Sequence, residues 1–202
     1  MGGGGSDVPS RLRAPVLGGD VPGPPGTARP PRRRRVLITL VVVLLAFSGA
    51  TARLFVWPDQ GMPARVDAIV MLNGDYDPLG VALRLARERR AKYLVVSQGT
   101  RASHFGCPRP VPRVRIICFY PSPATTQGET EFAARLAARY GWHSLTLVTM
   151  LPQASRARLR MERCFAGHIY VVTSPIPRHA WPYQIAYEWA ATVKALVLQR
   201  GC

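Results

Sequence analysis

The chain is short of lysine and of carboxylates: lysine supplies only Lys92 and Lys194 among 27 basic residues, against 11 acids, so 202 residues carry a formal charge of +16. Such an excess raises nucleic acid as a partner. No stretch interleaves clustered basic residues with aromatics as a single-strand groove requires, so nucleic acid is not expected. Alanine, glycine, proline and arginine abound, and much of the charge reads as compositional background. Also missing are a phosphate-cradling P-loop, an H-E-x-x-H zinc pair, a G-x-S-x-G elbow and any C-x-x-C pair, so no cofactor and no metal are expected. With 48% hydrophobic residues the chain is too apolar for a disordered polycation, and the part beyond residue 57 is long enough for one domain with a buried core.

What is present begins with topology. Residues 1–35 form a Gly/Pro/Arg segment without apolar periodicity, expected to be a disordered cytoplasmic tail. It ends in Arg32 to Arg35, and Val36 to Ala52 then runs without a charge. The span 36–57 fits a transmembrane helix if Arg53 snorkels and Trp57 sits at the interface. Basic residues crowd its amino-terminal side, which predicts a cytoplasmic N-terminus and an extracytoplasmic domain. The rival is a cleaved signal peptide, since Ala50-Thr51-Ala52 has a small-x-small pattern; the long n-region and the apolar continuation to Trp57 favour the anchor. Residues 58–64 read as a linker and 65–202 as the domain.

Four cysteines, Cys107, Cys118, Cys164 and Cys202, all follow the apolar span, as export would require. Three connectivities are open. The sequence-local one joins Cys107 to Cys118 and Cys164 to Cys202; the alternative is free buried thiols.

The domain alternates short continuous apolar runs with amphipathic segments. Strands are expected at 67–72, 93–96, 114–119, 144–149 and 169–173, with helices from Pro78 and over 129–140, 154–165 and 183–199. A Pro- and Cys-containing insertion fills 101–113. The fold class is therefore α/β, a Rossmann-like three-layer sandwich with a mostly parallel five-stranded sheet. In such sheets ligands bind beyond the carboxyl ends of the strands. That rule selects Asn73, Gly74 and Asp75; Ser97, Gln98 and Gly99; Tyr120, Thr125 and Thr126; Thr149 to Arg156; and Thr173 with Ser174. The set is polar and nearly free of carboxylates, and with Arg156 and helix N-termini nearby it suits an anion better than a divalent metal. Asp75 and Asp77 read as turn chemistry before Pro78. Glu129 either offsets a helix dipole or orients Arg156 for a phosphate. His104, His143, His168 and His179 read as structural, His179 standing nearest the strand ends.

Read in order, DAIVMLNG (67–74), LVVSQG (94–99), TTQGETEFAARLA (125–137), LVTMLPQASRARL (147–159) and AYEWAA (186–191) resemble the SanA/YdcF/ElyC-like family of bacterial envelope proteins. The resemblance places Thr126, Glu129, Thr149, Arg156 and Glu188 at family positions. It implies a role in envelope integrity or peptidoglycan and lipid-carrier metabolism, with a phosphorylated or otherwise anionic envelope precursor as partner alongside the membrane. Where the family has histidine this chain has Gln153, which cannot transfer a proton near neutral pH. The expected ligand-binding set is Asn73, Gly74, Ser97, Gly99, Thr126, Glu129, Thr149, Gln153, Arg156 and Glu188. The alternative is a non-catalytic scaffold of an envelope complex.

Overall fold

The computed structural model describes residue 1 and residues 31–100 and 106–202. Most of the tail, and His104 with the start of the insertion, lie outside the described residues. Two compact units are present, 1–41 and 42–202. Helix α1 (Arg32–Thr51) continues as a π turn over Ala52–Val56. Together they are long and apolar enough to cross a membrane, and the side chains of Val36 to Phe47 are exposed. The helix starts at Arg32, earlier than the apolar run, because arginine is itself a good helix former and proline at 31 precedes it.

The domain consists of β1 (Val66–Met71), α2 (Pro78–Arg87), β2 (Ala91–Ser97), β3 (Arg115–Phe119), α3 (Thr126–Tyr140), β4 (Ser144–Met150), α4 (Ala154–Glu162), β5 (His168–Ser174) and α5 (Trp181–Val197). All five strands are parallel, in the order β3-β2-β1-β4-β5. Alternation along the strands sorts the layers. In β1 and the residue after it, Ala68, Val70 and Leu72 join Ala133, Leu136 and Met161 of α3 and α4, whereas Ile69 and Met71 join Ala82, Leu85 and Ala86 of α2. Burial on both faces is why the central strands read as continuous apolar runs. Each fully buried Leu, Ile or Met side chain contributes roughly 1.5–3 kcal/mol.

Local chemistry sets the helix ends. The Asp77 carboxylate caps α2 by accepting from Gly80 N–H at 2.8 Å, with Pro78 in the first turn, so the turn reading of this residue holds. The Thr125 hydroxyl is the N-cap of α3, which therefore starts at Thr126, three residues before the expected Glu129, and stops at Gly141 with φ +67. Disulfides join Cys107 to Cys118 and Cys164 to Cys202. The segment 58–64 is more than a spacer: Gly61 N–H donates to Val171 C=O at 2.8 Å, using an open group on edge strand β5.

Candidate functional site

The chain order of the strands reverses between β1 and β4, so the loops leaving these two neighbours diverge and open a crevice. It encloses about 310 Å³. Asn73, Gly74 and Asp75 enter it from β1, Gly99 from β2, Thr125, Thr126 and Glu129 from the first turn of α3, and Met150, Gln153 and Arg156 from β4 and α4. Helix α5 closes the side with Tyr183, Gln184 and Tyr187.

Seven of the ten expected residues thus line one cavity: Asn73, Gly74, Gly99, Thr126, Glu129, Gln153 and Arg156. Ser97, Thr149 and Glu188 are fully buried behind it. Their role is support. Thr149 donates its hydroxyl to Gln153 Oε1 at 2.8 Å, and Gln153 Nε2 donates to Thr126 Oγ1 at 3.0 Å. Gln153 is therefore committed at both ends of its carboxamide. Thr173 and Ser174 do not reach the crevice.

Arg156 is a paired cation: Nε and Nη2 donate to the two Glu188 carboxylate oxygens at 2.7 and 2.8 Å, and Nη1 donates to Thr126 Oγ1 at 2.8 Å. Burying a guanidinium to 8% exposure is costly without such partners. Burial pulls its pKa down, and the bidentate Glu188 contact outweighs that and holds it above its ordinary value. Three of its five N–H groups are committed, and its ring-facing side lies 6.0 Å from the Tyr187 centroid. Glu188, which the sequence presented as a ligand contact, is the counter-ion.

Glu129 makes no hydrogen bond to Arg156, although the two charges interact. Its Oε1 accepts from Asn73 N–H at 2.6 Å, tying the first turn of α3 to the turn after β1. At 3% exposure, burial pushes this carboxyl up to about 7, against the Ser97 hydroxyl, the Asn73 N–H and the Arg156 charge. Ser97 Oγ lies buried beside it without a hydrogen bond of ordinary geometry. Gly99, at φ +68, is fixed by the same architecture, since a Cβ there would stand 2.5 Å from Asn73 Nδ2.

The sequence placed Glu188 of α5 at the site but did not single out the lining residues Tyr183, Gln184 and Tyr187. Gln184 is buried there with its carboxamide oxygen unpartnered, an unmet hydrogen-bonding position on the crevice. The available signal was weak: polar Gln184, Glu188 and Thr192 recur at helical spacing on an otherwise apolar helix.

No family model matches the chain, and no curated protein is similar to it at a significant level. Among solved structures the chain is similar to glycinamide ribonucleotide transformylase 1 from Symbiobacterium toebii, with 13% identity over 54% of this chain and a TM-score of 0.28. The match spans about half of that structure, 51%, and carries no argument about function.

Proposed function

We propose that the chain is a membrane-anchored envelope protein, N-terminus cytoplasmic, whose crevice recognises a phosphorylated or otherwise anionic envelope precursor or lipid carrier, as its resemblance to SanA/YdcF/ElyC-like proteins implies. The observation that carries this reading is the convergence on one small cavity of the Asn73-Gly74 turn, the N-terminus of α3 and the buried Arg156. Arg156 acts there as a fixed donor with two N–H groups left rather than as a net charge. The charge balance instead runs through Glu129. An anion entering the crevice favours the protonated carboxyl, so uptake of ligand is coupled to uptake of a proton.

Titration calorimetry of the detergent-solubilised full chain with a short prenyl phosphate tests this. Affinity is expected to fall as pH rises from 6 to 8 and Glu129 ionises. Arg156→Lys keeps a charge but loses the fork, and is expected to weaken binding at least about tenfold. Unchanged affinity in that variant places the ligand elsewhere.

A second reading, a non-catalytic scaffold, is favoured by one observation: Gln153 occupies the family's histidine position with its carboxamide already bonded to Thr149 and Thr126. Gln153 offers no proton transfer, which leaves the carboxyls of Glu129 and Asp75 in the crevice lining. Phosphate release by the native chain, abolished in Glu129→Gln, excludes the scaffold; release only after Gln153→His supports it.

A further inference from the structure

At the opposite, amino ends of the strands lies a second and larger concavity of about 740 Å³. Arg65 just before β1, Lys92 in β2, Arg89 after α2 and Arg113 before β3 all line it, together with Tyr93, Tyr140 and Trp142. All four cations are exposed, and among the described residues none has a carboxylate within ion-pair distance. The one acid in the lining is already spent: Asp67 Oδ2 accepts from His143 N–H, Ser144 N–H and the Ser144 hydroxyl at 2.8–2.9 Å. Trp142, buried in the lining, has an indole N–H without a partner.

Two of the three arginines occupy positions that favour glycine. Helix α2 ends in a Schellman arrangement, Arg90 N–H to Leu85 C=O and Arg89 N–H to Ala86 C=O, which puts Arg89 at the left-handed residue with φ +58. Helix α3 fills the equivalent place with Gly141. Arg113, at φ +63, follows Pro112 in a turn closed by Val114 N–H to Val111 C=O, the place where a type II turn takes glycine. Both side chains point their charge into one groove at a conformational cost that glycine would avoid.

We propose that this groove binds an extended polyanion without nucleobases, a polymer bearing phosphate or carboxylate groups along its length. A single anion calls for convergent buried donors; four exposed cations drawn from three chain segments suit charges that recur along a ligand. Nucleobases are disfavoured because the rings are occupied: Tyr93, Tyr140 and Trp142 pack against one another with centroids at 5.0–5.4 Å, the Tyr140–Trp142 pair stacked, and Arg115 and Arg139 cover Tyr140. The site shares no residue with the crevice, and its test leaves the crevice intact.

The full chain in zwitterionic nanodiscs is titrated at physiological salt with long-chain polyphosphate, polygalacturonate, inorganic phosphate and a single-stranded oligonucleotide. The quadruple variant R65Q/R89Q/K92Q/R113Q is expected to lose at least about tenfold in affinity for the preferred polymer, whichever of the first two it is. The variant R84Q/R87Q/R109Q/R178Q removes the same charge from other exposed positions and is expected to change affinity less than about twofold. R89G/R113G, which relieves the positive-φ backbone, guards against misfolding and is expected to bind more weakly with an undiminished melting temperature. Equal losses in the two quadruple variants, or an unchanged affinity in R89G/R113G, overturn the proposal. So does preference for inorganic phosphate or for the oligonucleotide.

Discussion

The two ends of the sheet handle positive charge in opposite ways. At the carboxyl end Arg156 is buried, and a bidentate carboxylate and a threonine hydroxyl hold it. At the amino end four cations stand in solvent with no ion-pair partner among the described residues. Desolvation explains the contrast, since a charge taken out of water demands a partner and an exposed one does not. Fixed geometry therefore belongs to the crevice, and available charge belongs to the groove.

The largest effect that tests this contrast is removal of a counter-ion. Glu188→Ala leaves Arg156 buried and unpaired, and is expected to destabilise the domain by about 3–5 kcal/mol in denaturant unfolding. Arg156→Met with Glu188→Leu removes both charges and is expected to restore most of that loss. If the single variant is as stable as the native chain, Arg156 is not buried as described and the contrast between the two ends fails.

The disulfides also divide between the ends. Cys118 lies near the carboxyl end of β3, while Cys164 follows α4 at the amino end and holds the chain beyond α5. Closing 38 residues removes more unfolded-chain entropy than closing 11, which corresponds to about 4 and about 3 kcal/mol in the loop-entropy account. Replacing Cys164 and Cys202 by serine is thus expected to lower the melting temperature more than replacing Cys107 and Cys118. The reverse order would show that the insertion, rather than the C-terminus, carries the crosslink's stabilisation.

Glu129 gives the carboxyl end a pH dependence. Its carboxyl is raised from 4.5 to about 7 in the fold, so between these values the native state binds more protons than the unfolded chain. Stability from this group is full below about 4.5, falls as pH rises and is lost above about 7, a change of about 3 kcal/mol. Glu129→Gln keeps an oxygen for Asn73 N–H and is expected to flatten the profile and stabilise the domain at pH 8. A slope that persists in this variant assigns the titration to another group.

Strand positions were legible because a strand buried on both faces is an uninterrupted apolar run, as in Ile69 to Leu72 and Leu94 to Val96. The crevice followed from them, since Asn73, Gly99 and Gln153 are placed by strand ends alone. Partners were not legible. Arg156 and Glu188 are 32 residues apart, and only the packing of α4 against α5 shows that they bond to each other. The amino-end groove was hidden for a related reason, because its cations come from three segments that only the sheet aligns. Two local signs existed: an arginine directly after the C-cap of α2, and Pro112-Arg113 in a turn.

Those two residues give the smallest effect. Gly99 meets its φ of +68 with the residue suited to it, whereas Arg89 and Arg113 at the amino end do not, and neither do Tyr76 and Asp77 in the turn after β1 at the carboxyl end. Arg89→Gly and Arg113→Gly should each relieve left-handed strain of about 1–2 kcal/mol, partly offset by the greater freedom of glycine in the unfolded chain, for a net gain of about 0.5–1 kcal/mol. Gly99→Ala should do the opposite and cost more, because its Cβ also meets Asn73 Nδ2. Melting curves of the three variants test the pair of claims. If Arg113→Gly lowers the melting temperature, its side chain is holding the fold, and the case that it is retained for binding weakens.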